Sequence, residues 1–472
     1  MPIQIPAYTW LLIHISLISF AIYHALLYKR DTRAATGWIM FCLFVPFVGA
    51  IAYYLFGINR VQTRALNIRR GLFEVAYEIG EHSAIPFSTG ETNLQDSGLR
   101  VTGRAASNGN SLRALFGGKE AYASMLEAIH KAKHTVALST YILNSDITGK
   151  KFVTAMEAAQ KRGVKVRVLI DGAGELYSRQ KISKILKRKN IQSALFLPPR
   201  LIPPSVYINL RNHRKILVVD NSVAFAGGMN ISDQHTSEVF ADKAIKDVHF
   251  QLQGPVVLEL AELFERDWQF ATKNDDQEDV QQVSDLSIHG DMACRVIPDG
   301  PDAELDTLAL TLQAVISTAQ KSVDIVTPYF IPSRELIAIL QAASLRGVRV
   351  RIVLPAKNNL FFMHWANRNT LTELLKWGIS VYYQSPPFAH TKLLLIDSDY
   401  ALIGSANIDP RSLRLNFELG IEIFSKSLHH QLTQYVDEII LHSQPASFTE
   451  LANRPQLVRL RDSFFALFSP YL

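Results

Sequence analysis

Cysteine is almost missing from this chain: Cys42 and Cys294 are the only two in 472 residues, so no disulfide framework can hold the fold together. Cys42 lies inside an apolar run and neither residue stands in a Cys-x-x-Cys spacing, which excludes the common thiolate metal sites. Both read as structural. The opening stretch Met1 to Tyr8 has no basic residue, which argues against a cleaved secretory signal. Formal charge is wholly missing from Ala7 to Tyr28, 22 residues, and again from Gly37 to Gly57, 21 residues. Each run is about the ~20 residues that cross a ~30 Å hydrocarbon core. Residues 1–60 therefore predict a two-helix transmembrane hairpin. Trp10, Tyr28, Trp38, Tyr53 and Tyr54 suit its interfaces, Pro46 kinks the second span, and His14 and His24 are tolerated polar residues in the first. Lys29, Arg30 and Arg33 lie between the spans and Arg60, Arg64, Arg69 and Arg70 follow the second, so the positive-inside rule hardly separates the two orientations.

No large excess of either charge is present. The net charge of +6 favours anionic partners in general without choosing among nucleic acid, phosphorylated ligands and an acidic membrane surface. A length of 472 residues exceeds one ordinary core and predicts two globular units plus extras.

Those units are legible as an internal repeat. Thr135 to Leu143 reads as a buried strand, a helical stretch follows, and Arg162-Gly-Val-Lys-Val-Arg-Val-Leu-Ile170 opens the next strand after a glycine stop. The plan recurs with Val323 to Phe330 as strand, Arg334 to Ser344 as helix and Arg346-Gly-Val-Arg-Val-Arg-Ile-Val-Leu354 as the next strand. Alternating strands and helices predict an α/β fold with mixed, largely buried sheets. The expected boundaries are a linker over 61–110, one repeat over 111–272, a polar linker over 273–291, the second repeat over 292–445, and a tail over 446–472. In that tail Arg459 and Arg461 sit among Leu460, Phe464, Phe465, Leu467 and Phe468, which suits either an interfacial helix or simple docking on the domain.

Each repeat ends in one constellation. His213 is followed by Lys215 at +2, Asp220 at +7, Gly227 at +14 and Asn230 at +17, and His390 by Lys392, Asp397, Gly404 and Asn407 at the same spacings. Five agreeing positions in copies 177 residues apart are very improbable by chance. On an extended strand each His and its Lys face one way. Two copies packed face to face would gather two His, two Lys and two Asn around one phosphodiester. The ammonium and amide groups would neutralise its charge. One neutral imidazole could attack phosphorus while the other, protonated, gives its proton to the leaving alkoxide. Such chemistry needs no metal and no cofactor. Each histidine also needs an orienting carboxylate, for which Glu418 and Asp247 are the candidates. Asp220 and Asp397 belong to the motif, although a strand-ending structural bond would also account for them.

The doubled His-x-Lys-x-x-x-x-Asp resembles the signature of the phospholipase D superfamily. The apolar hairpin, Gly227-Gly-Met-Asn-Ile231, Asp247-Val-His249 and Gly404-Ser-Ala-Asn-Ile-Asp-Pro-Arg-Ser-Leu-Arg-Leu-Asn-Phe-Glu418 bring the likeness closer to its cardiolipin synthase branch. Ser232-Asp-Gln-His-Thr-Ser-Glu238 departs from the Arg-Ser-x-x-x-Asn-Phe-Glu pattern of the second copy. The resemblance implies two tandem phospholipase D-like domains and transfer between two phosphatidylglycerol molecules, giving cardiolipin and glycerol through a phosphatidyl-histidine. By analogy His213 is the nucleophile and His390 the acid and then the base, with the reverse left open by symmetry. Lys215, Lys392, Asn230 and Asn407 grip the phosphate. Phospholipids and a bilayer are the implied partners, nucleic acid is not, and the implied location is the bacterial inner membrane with two spans. A membrane-bound phospholipase D hydrolase and a non-catalytic anionic-lipid binder are the alternatives.

Overall fold

The computed structural model describes residues 6–29, 32–45, 47–57, 94–199, 210–273, 288–301 and 304–469. It divides into two compact units, residues 1–67 and 68–472. In the first, the charge-free run forms one helix, Ala7–Tyr28. Its 22 residues reach about 33 Å at 1.5 Å per residue, enough to cross the core of a bilayer. The second run departs from the expected continuous span. It forms a helix Thr32–Phe44, a short helix Val48–Ala52 and a π-helical turn Tyr53–Gly57. Pro46, read as a kink, lies outside the described residues, and Phe47 next to it has φ 57°, a left-handed conformation that no helix continues through. The break strands backbone donors, and the Phe47 N–H turns to His14 Nδ1 at 3.4 Å. His24 Nδ1 meets the Tyr53 hydroxyl at 2.9 Å. The two histidines of the apolar helix are thus satisfied by the broken segment, which is why they are tolerated there.

In the second unit the first repeat contributes β1 Ser107–Phe116, β2 Thr135–Thr140, β3 Lys165–Asp171, β4 Gln192–Phe196, β5 Ile216–Val219, β6 Val223–Gly227 and β7 Val248–Gln253. The second contributes β8 Met292–Asp299, β9 Ser322–Val326, β10 Arg349–Pro355, β11 Ser380–Gln384, β12 Leu393–Ile396, β13 Tyr400–Gly404 and β14 Glu418–Phe424, and β15 Ser443–Pro445 is an addition on β11. Within the first repeat the sheet order is β1-β7-β6-β5-β2-β3-β4, and within the second β8-β14-β13-β12-β9-β10-β11. The orders are the same. Strands β2, β3 and β4 are parallel and β5, β6 and β7 antiparallel, as are their counterparts.

The crossover helices Ile147–Lys161 and Arg334–Leu345 stop by one device. Gly163 and Gly347 both have φ 91°, and the N–H of the valine after each reaches back to the carbonyls of Ala159 and Ala343. Only glycine takes that conformation freely, so the repeated Arg-Gly-Val marks the turn from helix into strand. Each repeat packs its own apolar core.

The repeats meet edge to edge through an antiparallel pairing of β1 with β8, which makes one fifteen-stranded sheet among the described residues. This edge pairing accompanies a second meeting of the repeats at the motifs, where Asn212 bridges to Phe417 and Lys246 to Ala389. The stretch read as a linker over 61–110 contains a helix, Leu94–Thr102, and the start of β1. There the buried Arg295 donates to Glu422 and to the carbonyls of Gln95 and Arg104. Most of the acidic linker, residues 274–287, lies outside the described residues.

Candidate active site

His213 and His390 sit in extended segments just ahead of β5 and β12. Each segment is stitched to the other repeat. The His213 N–H donates to the Phe417 carbonyl at 2.9 Å, and the Phe417 N–H to the Arg211 carbonyl at 2.8 Å. On the other side, the His390 N–H donates to Lys246 and the Lys246 N–H to Phe388, at 2.7 and 2.9 Å. Phe417 and Lys246 immediately precede the two candidate carboxylates. Each histidine is therefore delivered to the carboxylate of the opposite repeat. His213 Nδ1 lies 3.0 Å from Glu418 Oε1, and His390 Nδ1 lies 3.1 Å from Asp247 Oδ2. Sequence spacing names these four groups but not how they pair.

The lysines lie between. Lys215 Nζ donates to the His213 carbonyl at 2.7 Å and Lys392 Nζ to the His390 carbonyl at 2.8 Å, so each ammonium is held beside its own imidazole. Both are buried. The side-chain oxygens of Asn230 and Asn407 are both buried with no hydrogen-bond partner among the described residues. An amide turned over at either position would present its NH2 group in place of the unmet oxygen.

The two halves differ in one detail that sets their electrostatics. Glu418 Oε2 accepts from the Ser405 hydroxyl at 2.5 Å and Oε1 from Asn416 Nδ2 at 3.0 Å. The first-repeat counterpart of Ser405 is Gly228, where a Cβ would stand 3.1 Å from Lys392 Nζ and 3.2 Å from Asp247 Oδ2. No side chain can offer Asp247 the donor that Ser405 offers Glu418. Burial would raise Glu418, yet the His213 ring, Lys215 and the Ser405 hydroxyl hold its carboxyl down to about 2. Burial pushes Asp247 up, with Lys392 only partly opposing it. Burial also lowers His213, and it lowers His390 well below the ordinary histidine value with help from Lys392, Lys215 and His213. The same desolvation brings Lys215 down to about 7 and Lys392 to about 8. The groups thus act on one another across the seam. A phosphate anion beside them would raise all four bases, because its negative charge favours their protonated forms.

Asp220 and Asp397 are not brought to this pocket, which corrects their place among the catalytic residues. Asp220 closes the far end of β5, where its carboxylate accepts the N–H groups of Lys133, His134 and Thr135, each at 2.8 Å. Asp397 does the same for Gln320, Lys321 and Ser322. Each clamps the loop that feeds β2 or β9.

Several residues near the histidines carry no sign in the spacing. Tyr141 places its ring 5.1 Å from that of His213, and Tyr177 lies 6.2 Å beyond it. Tyr177 borders a cavity of about 500 Å³ that Lys150 and Arg179 also line. On the other side the buried His235 stands 6.4 Å from His390, in the place that Ser412 takes in the second repeat. Burial pushes it down to about 3, so this imidazole is neutral at ordinary pH. Its only sequence signal was the departure of the 232–238 stretch from the second copy.

The matching family model is described as cardiolipin synthase, PLD-like domain, over residues 125–268 and 312–440. A second, described as phospholipase D-nuclease N-terminal, matches residues 8–57. Among curated proteins, the major cardiolipin synthase ClsA of Bacillus subtilis is 31% identical over 94% of this chain and 95% of its own length. Cardiolipin synthase 1 of Bacillus anthracis is 29% identical over 96% and 92%. Among solved structures, phosphatidylserine synthase of Haemophilus influenzae superposes with a TM-score of 0.59 at 17% identity, covering 76% of this chain and 95% of that one. This last likeness is one of fold.

Proposed function

The chain belongs to the cardiolipin synthase family of the phospholipase D superfamily, and from that premise we propose that its crossed histidine–carboxylate pairs transfer a phosphatidyl group between two phosphatidylglycerol molecules. It is a phosphatidyltransferase. The single observation that carries the mechanism is the crossing itself: His213 held by Glu418 and His390 by Asp247, 3.0 and 3.1 Å away across the seam. A carboxylate on Nδ1 directs the other ring nitrogen, Nε2, into the pocket.

In this reading Nε2 of His213 attacks phosphorus, and the bond to the glycerol oxygen breaks. The leaving alkoxide takes a proton from His390, so glycerol departs and a phosphatidyl-histidine remains. His390, now neutral, removes the proton from a glycerol hydroxyl of a second phosphatidylglycerol. That oxygen attacks phosphorus, cardiolipin forms, and His213 and the protonated His390 are regenerated. Lys215, Lys392, Asn230 and Asn407 hold the phosphate oxygens in both steps. Two depressed imidazoles suit the cycle, since one must be neutral to attack and the incoming anion supports a proton on the other.

The N-terminal unit gives the enzyme an anchor. One helix is long and apolar enough to cross a membrane, and the broken second segment completes a re-crossing in the bacterial inner membrane in the reading proposed here. Purified enzyme given phosphatidylglycerol in mixed micelles is expected to yield cardiolipin and glycerol in equal amounts. Phosphatidic acid as the sole product would make the enzyme a hydrolase instead. Parent enzyme stopped in neutral denaturant during turnover should carry a phosphatidyl adduct on His213 by mass spectrometry, and an adduct on no histidine would overturn the covalent step.

A further inference from the structure

The C-terminal helix Gln456–Ala466 turns its faces the opposite way from a helix docked on a soluble domain. Toward the protein it presents Asp462, wholly buried and paired with Arg368, Arg454 and Arg461. Phe465 packs there too, its ring 5.0 Å from Trp365. Outward it presents Leu457, Leu460, Phe464, Leu467 and Phe468, which are 81, 68, 54, 74 and 45% exposed. Their spacing draws a single stripe along the helix and its last turn. The stripe continues onto Phe361, 59% exposed, whose ring lies 4.9 Å from Trp365.

Exposed charge on the helix itself has one sign. From Arg454 to Ser469 the sole acid is Asp462, already buried and neutralised, whereas Arg459 and, beside Phe361, Lys357 are exposed. The stripe also connects with the catalytic pocket. Phe465 packs with Phe362 and Tyr329 around Met363. Tyr329 lies 6.4 Å from Phe388, which lies 6.0 Å from His390.

We propose that this stripe docks on an anionic lipid surface, with Leu457, Leu460, Phe464 and Leu467 in the headgroup–acyl boundary and Arg459 and Lys357 against lipid phosphates. An apolar stripe that carries exposed Arg459 and no exposed acid from Arg454 to Ser469 matches that partner and suits bulk water poorly. The inference rests on the phospholipid reading above and extends it: the catalytic unit grips the bilayer with its own surface, next to the wall of the site. The test uses the full chain in vesicles of phosphatidylglycerol and phosphatidylcholine, with a bimane label on Leu460→Cys and a control label on Leu176→Cys, 63% exposed in the first repeat. Spin-labelled lipids should quench the first label and leave the second bright. Quenching does not depend on turnover, so it can succeed even if no cardiolipin forms. A companion variant, Leu460→Asp with Phe464→Asp, should lose about tenfold in turnover on vesicle substrate while keeping turnover on detergent-dispersed substrate. An unquenched Leu460→Cys label overturns the proposal. So does an equal loss on both substrates, which would make the helix merely structural. Self-association that needs Leu460 and Phe464 would assign the stripe to a second copy, and overturns it as well.

Discussion

Replacing Glu418 with glutamine keeps the shape of the side chain and removes one charge at the centre of the seam. In the parent this carboxylate, wholly buried, accepts from His213 Nδ1, the Ser405 hydroxyl and Asn416 Nδ2. A glutamine offers one oxygen to those three donors and turns an amide N–H donor toward at least one of them. Two consequences follow. The His213 ring loses the acceptor that selects its Nδ1–H tautomer, and Lys215, already down to about 7 with Glu418 supporting its charge, becomes neutral at lower pH. In comparable orienting carboxylates the loss is roughly 10³–10⁴-fold in kcat, or about 4–5 kcal/mol of transition-state stabilisation. Folding should lose less, about 1–3 kcal/mol, since the shape survives and one hydrogen bond becomes unfavourable. The assay is cardiolipin formation from phosphatidylglycerol in mixed micelles, with kcat and KM resolved and thermal unfolding measured alongside. A Glu418→Gln enzyme within tenfold of the parent kcat would refute the crossed pairing as the source of histidine orientation. So would a loss confined to KM.

Asp220→Ala and Asp397→Ala should each cost about 2–4 kcal/mol of stability, because three backbone N–H groups lose their acceptor, while the folded fraction keeps its kcat. A kcat loss at unchanged melting temperature would return these residues to the chemistry. Lys215 and Lys392 titrate far below free lysine, so between about pH 7 and 10 the unfolded chain holds protons that the folded chain has released. Stability of the ligand-free enzyme should therefore rise with pH across that window, and Lys215→Met should flatten the rise. A stability that falls there in the parent, and equally in the variant, would contradict the burial of the pair. KM for phosphatidylglycerol should increase above about pH 8 as the ammonium groups are lost, which initial rates at saturating and limiting lipid will show. His235→Asn removes an imidazole that carries no charge above pH 5, given its depression to about 3. Its kcat should fall by about tenfold through looser packing of His390, with the pH optimum unmoved. A shifted optimum would mean that His235 exchanges protons in turnover.

The repeat, the α/β class, the long apolar N-terminal helix and the two His-Lys pairs are legible in the order of the residues alone. These are local properties: a two-residue spacing on an extended segment, an Arg-Gly-Val helix stop, a charge-free run of bilayer length. Asp220 and Asp397 share the same regular spacing with the histidines, and a one-dimensional pattern cannot say that the seventh residue emerges at the far end of a four-residue strand. The second apolar run likewise has the composition of a span, while its break at Phe47 depends on a backbone conformation that composition does not encode. It takes the folded chain to show that β1 pairs with β8, and that Glu418 serves His213 while Asp247 serves His390. The strand pairing and both histidine–carboxylate contacts lie between segments more than a hundred residues apart. They are set by hydrogen bonds from Phe417 and Lys246 across the seam, and no periodicity along the chain records which strand edge will meet which.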